Sequence, residues 1–127
     1  MTLDSKNLIL VVEDNAYLRT LLQSILEEEG FEVLQASSGV EGLECFRQHA
    51  ASIDAVIADL ELPQMNGFDL FLAIKSINPA IKCVIASGFL EPTVKRKFRE
   101  EGIVHFVDKP YSVNEVVSAL RELLAHH

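Results

Sequence analysis

Tryptophan is absent from this 127-residue chain, and cysteine occurs only twice, at Cys45 and Cys83. Both cysteines sit inside apolar segments rather than in a Cys-x-x-Cys pair, so they read as reduced core thiols of a cytosolic protein, with a buried disulfide as the lesser alternative. Glycine (6) and proline (4) are too scarce for a collagen-like or low-complexity chain. Positive charge is also short: 11 Lys and Arg stand against 19 Asp and Glu, a net charge of −8 at pH 7. The field such a chain presents to a phosphate backbone or an anionic membrane is repulsive, which argues against direct nucleic-acid binding and membrane attachment. No apolar run approaches the roughly 20 residues of a membrane span. The first residues, Met1 to Asn7, lack the layout of a signal peptide. What remains is 49% hydrophobic and 24% charged. That is too apolar for a disordered chain. The length fits one domain, expected over 1–127 with its core at about 8–124.

Short apolar runs alternate with helical patterns. The aliphatic run Leu8–Val12 is expected of a strand buried on both faces. From Ala16 to Glu29 the residues Leu18, Leu21, Leu22, Ile25 and Leu26 recur at helical spacing until Gly30. Phe31–Ala36 is a more polar strand suited to a sheet edge. Gly39–Ala50 follows as a helix with Val40, Leu43 and Phe46 inward, then a strand over Ile53–Ala58. Phe68–Ile77 is the next helix, Ile81–Ala86 and Ile103–Val107 are strands, and Ser112 can cap a last helix. Between those strands, Glu91–Glu101 has only Val94 and Phe98 as helix-spaced apolar residues and carries Lys95, Arg96, Lys97 and Arg99. It has little to bury and is expected to be a helix of low local stability. Five β-α repeats imply an α/β doubly wound parallel sheet, flavodoxin-like, in the order 2-1-3-4-5.

Ligands of open parallel sheets bind beyond the carboxyl ends of the strands. Four strands end there in reactive groups: Glu13-Asp14, Asp59, Ser87, and Asp108-Lys109-Pro110. Each has an ordinary reading, since Asp14 or Asn15 can cap a helix, Ser87 can open a turn and Lys109 can be solvated. Together they converge on one rim. Carboxylates brought together repel and call for a cation. Oxygen ligands in an incomplete cage suit Mg²⁺, which keeps several waters and uses one or two carboxylates plus a phosphoryl group. A lysine and a hydroxyl add a charge and a donor for phosphoryl oxygens, and an aspartate can itself be the nucleophile. There is no Gly-x-x-x-x-Gly-Lys loop for a nucleotide.

The segments Val11–Asn15, Asp59–Gly67, Ala86–Gly88 and Phe106–Pro110 resemble, in that order, the motifs of the receiver domain of two-component response regulators. The resemblance implies a phosphorelay module that takes a phosphoryl group from a phosphohistidine of a histidine kinase or phosphotransfer domain and switches a face toward a downstream protein or attached output domain. It implies Asp59 as phosphoacceptor, Asp14 and Asp59 as Mg²⁺ ligands, Glu13 acting through water, and the backbone carbonyl of Glu61 as a further ligand. Ser87 and Lys109 are implied to meet the phosphoryl group, and Phe106 to be the aromatic switch partner of Ser87. The bond between Lys109 and Pro110 is usually cis in the family. Such a domain catalyses its own phosphorylation and autodephosphorylation in the cytoplasm.

Ser87 stands where threonine is commoner, Phe106 where tyrosine often stands, and Glu61 is an unusual choice two residues after the acceptor. Glu61 and Phe89 are expected to border the phosphoryl group and tune its lifetime, Phe89 by screening water. Two other readings fit part of the pattern. A toprim-like metal-dependent nucleic-acid phosphotransfer module would use Glu13, Asp59 and Glu61, and a haloacid-dehalogenase-like phosphatase would use Asp59. Both lack the usual Asp-x-Asp, and the first leaves Lys109 idle. The chain is either a stand-alone regulator or a receiver from a larger protein such as a hybrid histidine kinase. His126-His127 are either native or part of a tag.

Overall fold

The computed structural model describes residues 6–88, 90–109 and 112–125. Its elements run β1 (Leu8–Val12), α1 (Ala16–Glu28), β2 (Glu32–Ala36), α2 (Gly39–His49), β3 (Ile53–Asp59), α3 (Gly67–Ile77), β4 (Lys82–Ser87), α4 (Pro92–Glu101), β5 (Ile103–Asp108) and α5 (Val113–Ala125). All neighbouring strands are parallel, in the order β2-β1-β3-β4-β5. This is the doubly wound sheet expected from the alternation, with β2 at one edge and β5 at the other.

Strand periodicity divides the core in two. Leu10, Val12, Val56, Ala58 and Ile85 face one side and pack with α2, α3 and α4. Ile9, Val11, Ala55, Ile57 and Val84 face the other and pack with α1 and α5. Both faces of the central strands are therefore dry, which is why β1 reads as an unbroken aliphatic run.

Helix ends follow local chemistry. The side chain of Asn15 accepts from the Leu18 N–H at 2.9 Å, that of Ser38 from Glu41 at 3.1 Å, that of Asn66 from Asp69 at 2.9 Å and that of Ser112 from Glu115 at 3.3 Å. Gly30 takes φ 96° and closes α1. Its N–H donates to the Glu27 carbonyl at 3.1 Å, and that of Phe31 donates to Leu26 at 3.0 Å.

Three details differ from the expectation. Val40 is exposed, at 50%, instead of inward. The buried stripe of α2 runs through Gly39, Gly42, Leu43 and Phe46. At Gly42 the helix comes so near β1 that a Cβ would lie 2.8 Å from Val12 Cγ2, and this depth of approach turns Val40 outward. Cys83 is buried and Cys45 only half-buried; both are free, so the disulfide alternative falls away. Burial pushes the Cys83 thiol up to about 12, which keeps it an inert core group.

The third detail is α4. It lacks a side-chain cap, and Pro92 opens it. Contrary to expectation, it buries one large group completely. Phe98 is fully enclosed and stacks edge-on with Phe68 at 4.8 Å and with Phe106 at 5.6 Å, and tilted on Phe71 at 5.3 Å. This one ring is the principal anchor of α4, whose other sequence-predicted apolar residue, Val94, is only half-buried. Phe98→Ala should lower the unfolding free energy by about 3–5 kcal/mol in a urea titration. A loss below about 1 kcal/mol would show that the aromatic cluster does not hold the helix.

Candidate functional site

Parallel pairing places the acidic residues. Val12 of β1 lies beside Ala58 of β3, so the next positions outward are Glu13 and Asp59. Both are buried, at 4% and 3% exposure, and Asp14 beside them is exposed. One carboxylate oxygen from each of Glu13, Asp14 and Asp59 can be chosen such that all lie within 4.8 Å of one another. On the other side, Asp59 pairs with Ala86, and Ser87 with Asp108. The Lys109 N–H donates to the Ser87 carbonyl at 2.8 Å, which starts the lysine side chain at the same rim. Its Nζ donates to Asp59 Oδ2 and forms an ion pair there. The other oxygen, Oδ1, accepts the Glu61 N–H at 2.9 Å.

The Glu13 corner is held at several points. Its N–H donates to the Ala36 carbonyl at 3.0 Å, and its Oε2 accepts the Asn15 N–H at 3.0 Å. Its own carbonyl accepts from Arg19 Nη1 at 2.8 Å. On the far side of the site, Gly67 brings α3 under the end of β3. A Cβ there would stand 2.7 Å from both the Asp59 carbonyl oxygen and Leu60 Cα, so only glycine allows this approach.

Electrostatics records the crowding. Burial is the main cause that holds the Glu13 carboxyl above its usual range. The Asn15 N–H opposes it, the Asp59 charge and a hydrogen bond with Asp14 reinforce it, and Lys109 opposes it. For Lys109, burial draws the ammonium down, but the hydrogen bond to Asp59 and the charges of Asp59, Glu13 and Glu61 outweigh it, and the net shift is upward. Three carboxyl groups share one paired ammonium, so the cluster is short of positive charge. An all-oxygen donor set of this kind fits a hard divalent cation.

The structure thus brings together Glu13, Asp14, Asp59, the Glu61 backbone and Lys109. Ser87 lies buried at the end of β4 beside them. Phe106 stands apart on β5, half-buried, with Lys95 Nζ at 5.7 Å and Arg99 at 5.3 Å from its ring centre. The Glu61 side chain is exposed. Phe89, Pro110 with its preceding peptide bond, and His126-His127 lie outside the described residues. Sequence reasoning missed Arg19 and the close-packing role of Gly67. The signal for Arg19 was available, since an arginine one turn into a helix that begins at the rim can fold back on the preceding strand end.

Residues 9–121 match the family model of the response regulator receiver domain. The chain is 30% identical to the chemotaxis protein CheY of Thermotoga maritima, over 91% of this chain and 95% of that protein. It is 35% identical to a probable transcriptional regulatory protein of Picosynechococcus, over 96% of this chain and 51% of that one. It is 30% identical to the sensor kinase CckA of Brucella abortus, over 91% of this chain but 12% of the kinase. The chain therefore spans about half or less of two of these relatives. Among solved structures it is similar to a receiver domain protein from Clostridium thermocellum (TM-score 0.85, 30% identity, 94% of each chain). It is also similar to the non-phosphorylated HemR receiver domain from Leptospira biflexa (TM-score 0.87, 28% identity, 96% of this chain and 97% of that one).

The raised Glu13 carboxyl has a consequence for stability. The folded state holds this proton more tightly than the unfolded chain, so stability falls as pH rises from the ordinary carboxylate value of 4.5 through the folded value. In chelator-treated protein, Glu13→Gln should therefore be more stable than wild type at pH 7. The difference should shrink to nothing below pH 4.5 in paired urea titrations. A neutral-pH loss of stability in this variant would show that Glu13 is not under charge strain.

Proposed function

The chain belongs to the response regulator receiver family, and from that premise we propose that Asp59 is its phosphoacceptor. The observation that carries this is the buried Asp59 carboxylate at the end of β3, paired with Lys109 and bracketed by Glu13 and Asp14. A carboxylate oxygen of Asp59 attacks phosphorus in line with the leaving nitrogen of a phosphohistidine. The O–P bond forms as the P–N bond breaks, and the electron pair leaves with the imidazole. The Lys109 ammonium, already at the carboxylate, meets the charge of the incoming phosphoryl oxygens, and the Ser87 hydroxyl donates to one of them. Water later attacks phosphorus, releases inorganic phosphate and restores the carboxylate.

Mg²⁺ is the cation this donor set suits. Asp14 and Asp59 would hold it directly, Glu13 through water, and the Glu61 carbonyl as a further ligand. When bound, it supplies positive charge that neutralises phosphoryl oxygens. The phosphoryl donor is a histidine kinase or a histidine phosphotransfer domain. The readout is the face formed by α4, β5 and α5, with Ser87 and Phe106 as the switch pair, acting on a downstream protein or an attached output domain. Phosphorylation biases two pre-existing arrangements of that face. The surroundings of Phe106 support this, because its ring lies against Phe98, Lys95 and Arg99, all of α4. The cytoplasm is the compartment proposed, and among the described residues no helix is long and apolar enough to cross a membrane.

The toprim-like and haloacid-dehalogenase-like readings find no support. The family match covers residues 9–121, and the toprim-like reading also leaves the Lys109–Asp59 ion pair unexplained.

Incubation with a small phosphodonor and Mg²⁺ should add one phosphoryl group by intact-mass spectrometry. Asp59→Asn should reduce labelling to background. Equal labelling of that variant would place the acceptor elsewhere.

A further inference from the structure

Arg19 stands one turn into α1, half-buried, and its Nη1 donates to a backbone oxygen at the edge of the acidic cluster. That oxygen belongs to Glu13, the first residue beyond β1. The Arg19 N–H donates to the Asn15 carbonyl at 2.9 Å. Root and tip of the arginine are thus both fastened to the Glu13–Asn15 corner, and Asn15 in turn donates to Glu13 Oε2. The result is a closed loop of bonds around the turn from which Glu13 and Asp14 project. Such a restraint matters here because the carboxylates repel at this separation, and a loose corner would swing to part them.

We infer that Arg19 is a positioning residue of the acidic site: by holding the Glu13 carbonyl it fixes the corner that presents Glu13 and Asp14, and so sets the affinity for a divalent cation. The inference rests on reading the cluster as a cation site. Its direction is diagnostic. Arg19 brings a positive charge near the site, so charge alone predicts that its removal tightens Mg²⁺ binding. Positioning predicts the opposite. Outer partners that orient metal ligands typically contribute about 10–100-fold in affinity.

The test is Mg²⁺ titration by calorimetry of wild type, Arg19→Ala, Arg19→Lys and Arg19→Met, each shown to be folded by its melting curve. Amide exchange at Asn15 is followed in metal-free protein. Arg19→Ala should weaken Mg²⁺ binding about tenfold or more and speed Asn15 exchange. Arg19→Lys, which keeps a donor, should recover part of both. Arg19→Met keeps the helix propensity and packing of the stem without the donor, and should match Arg19→Ala or replace it if alanine unfolds the chain. Unchanged or tighter binding in the Ala and Met variants overturns the inference while leaving the cation site standing. No binding in wild type overturns the cation site itself, and the inference with it.

Discussion

The ion pair between Lys109 and the buried Asp59 is the contact on which the rest of the site depends. Asp59 is 3% exposed and shares its pocket with two other carboxylates within 4.8 Å. At that separation, and at an effective dielectric of about 20, each unscreened pair of like charges costs about 3 kcal/mol. One ammonium offsets part of that repulsion. The remainder keeps the pocket short of positive charge, and this shortage is what the proposed divalent cation would relieve. The same property makes the site strained without a ligand and responsive to one.

The fold exists, in functional terms, to hold that imbalance. Parallel register sets Glu13 beside Asp59 and Ser87 beside Asp108 without any side-chain contact having to be made first. Two dry faces lock the register, because a one-residue slip would bring the wrong side chains to each layer. Close backbone approach completes the frame, as α3 reaches the end of β3 only because position 67 has no Cβ. By contrast, α4 is attached mainly through the Phe98 ring and has no side-chain cap. The site thus adjoins a helix with a single fully buried anchor, which suits the proposed switch.

Most of this was legible in the sequence. The strand and helix order follows from alternating patterns, and Asn15 and Ser112 read as caps from the sequence, whereas the capping by Ser38 and Asn66 emerges only in the structure. The Lys109–Asp59 pair, fifty residues apart, could be anticipated because both groups end strands of one parallel sheet. What stayed hidden depends on distance in space. The exposure of Val40 reflects how deeply α2 sinks at Gly42, which hydrophobic spacing does not encode. The weight of Phe98 was underestimated because its partners Phe68, Phe71 and Phe106 come from other segments. The roles of Gly67 and Arg19 lie in what each touches, not in a motif.

If uncompensated negative charge at this rim is the organising constraint, a divalent cation must stabilise the fold itself. The direct measurement is the unfolding free energy as a function of Mg²⁺, against Na⁺ at matched ionic strength. The account predicts a rise of about 1.4 kcal/mol for each tenfold increase in Mg²⁺ above its dissociation constant, with no comparable rise in Na⁺. Superimposable Mg²⁺ and Na⁺ curves would contradict it.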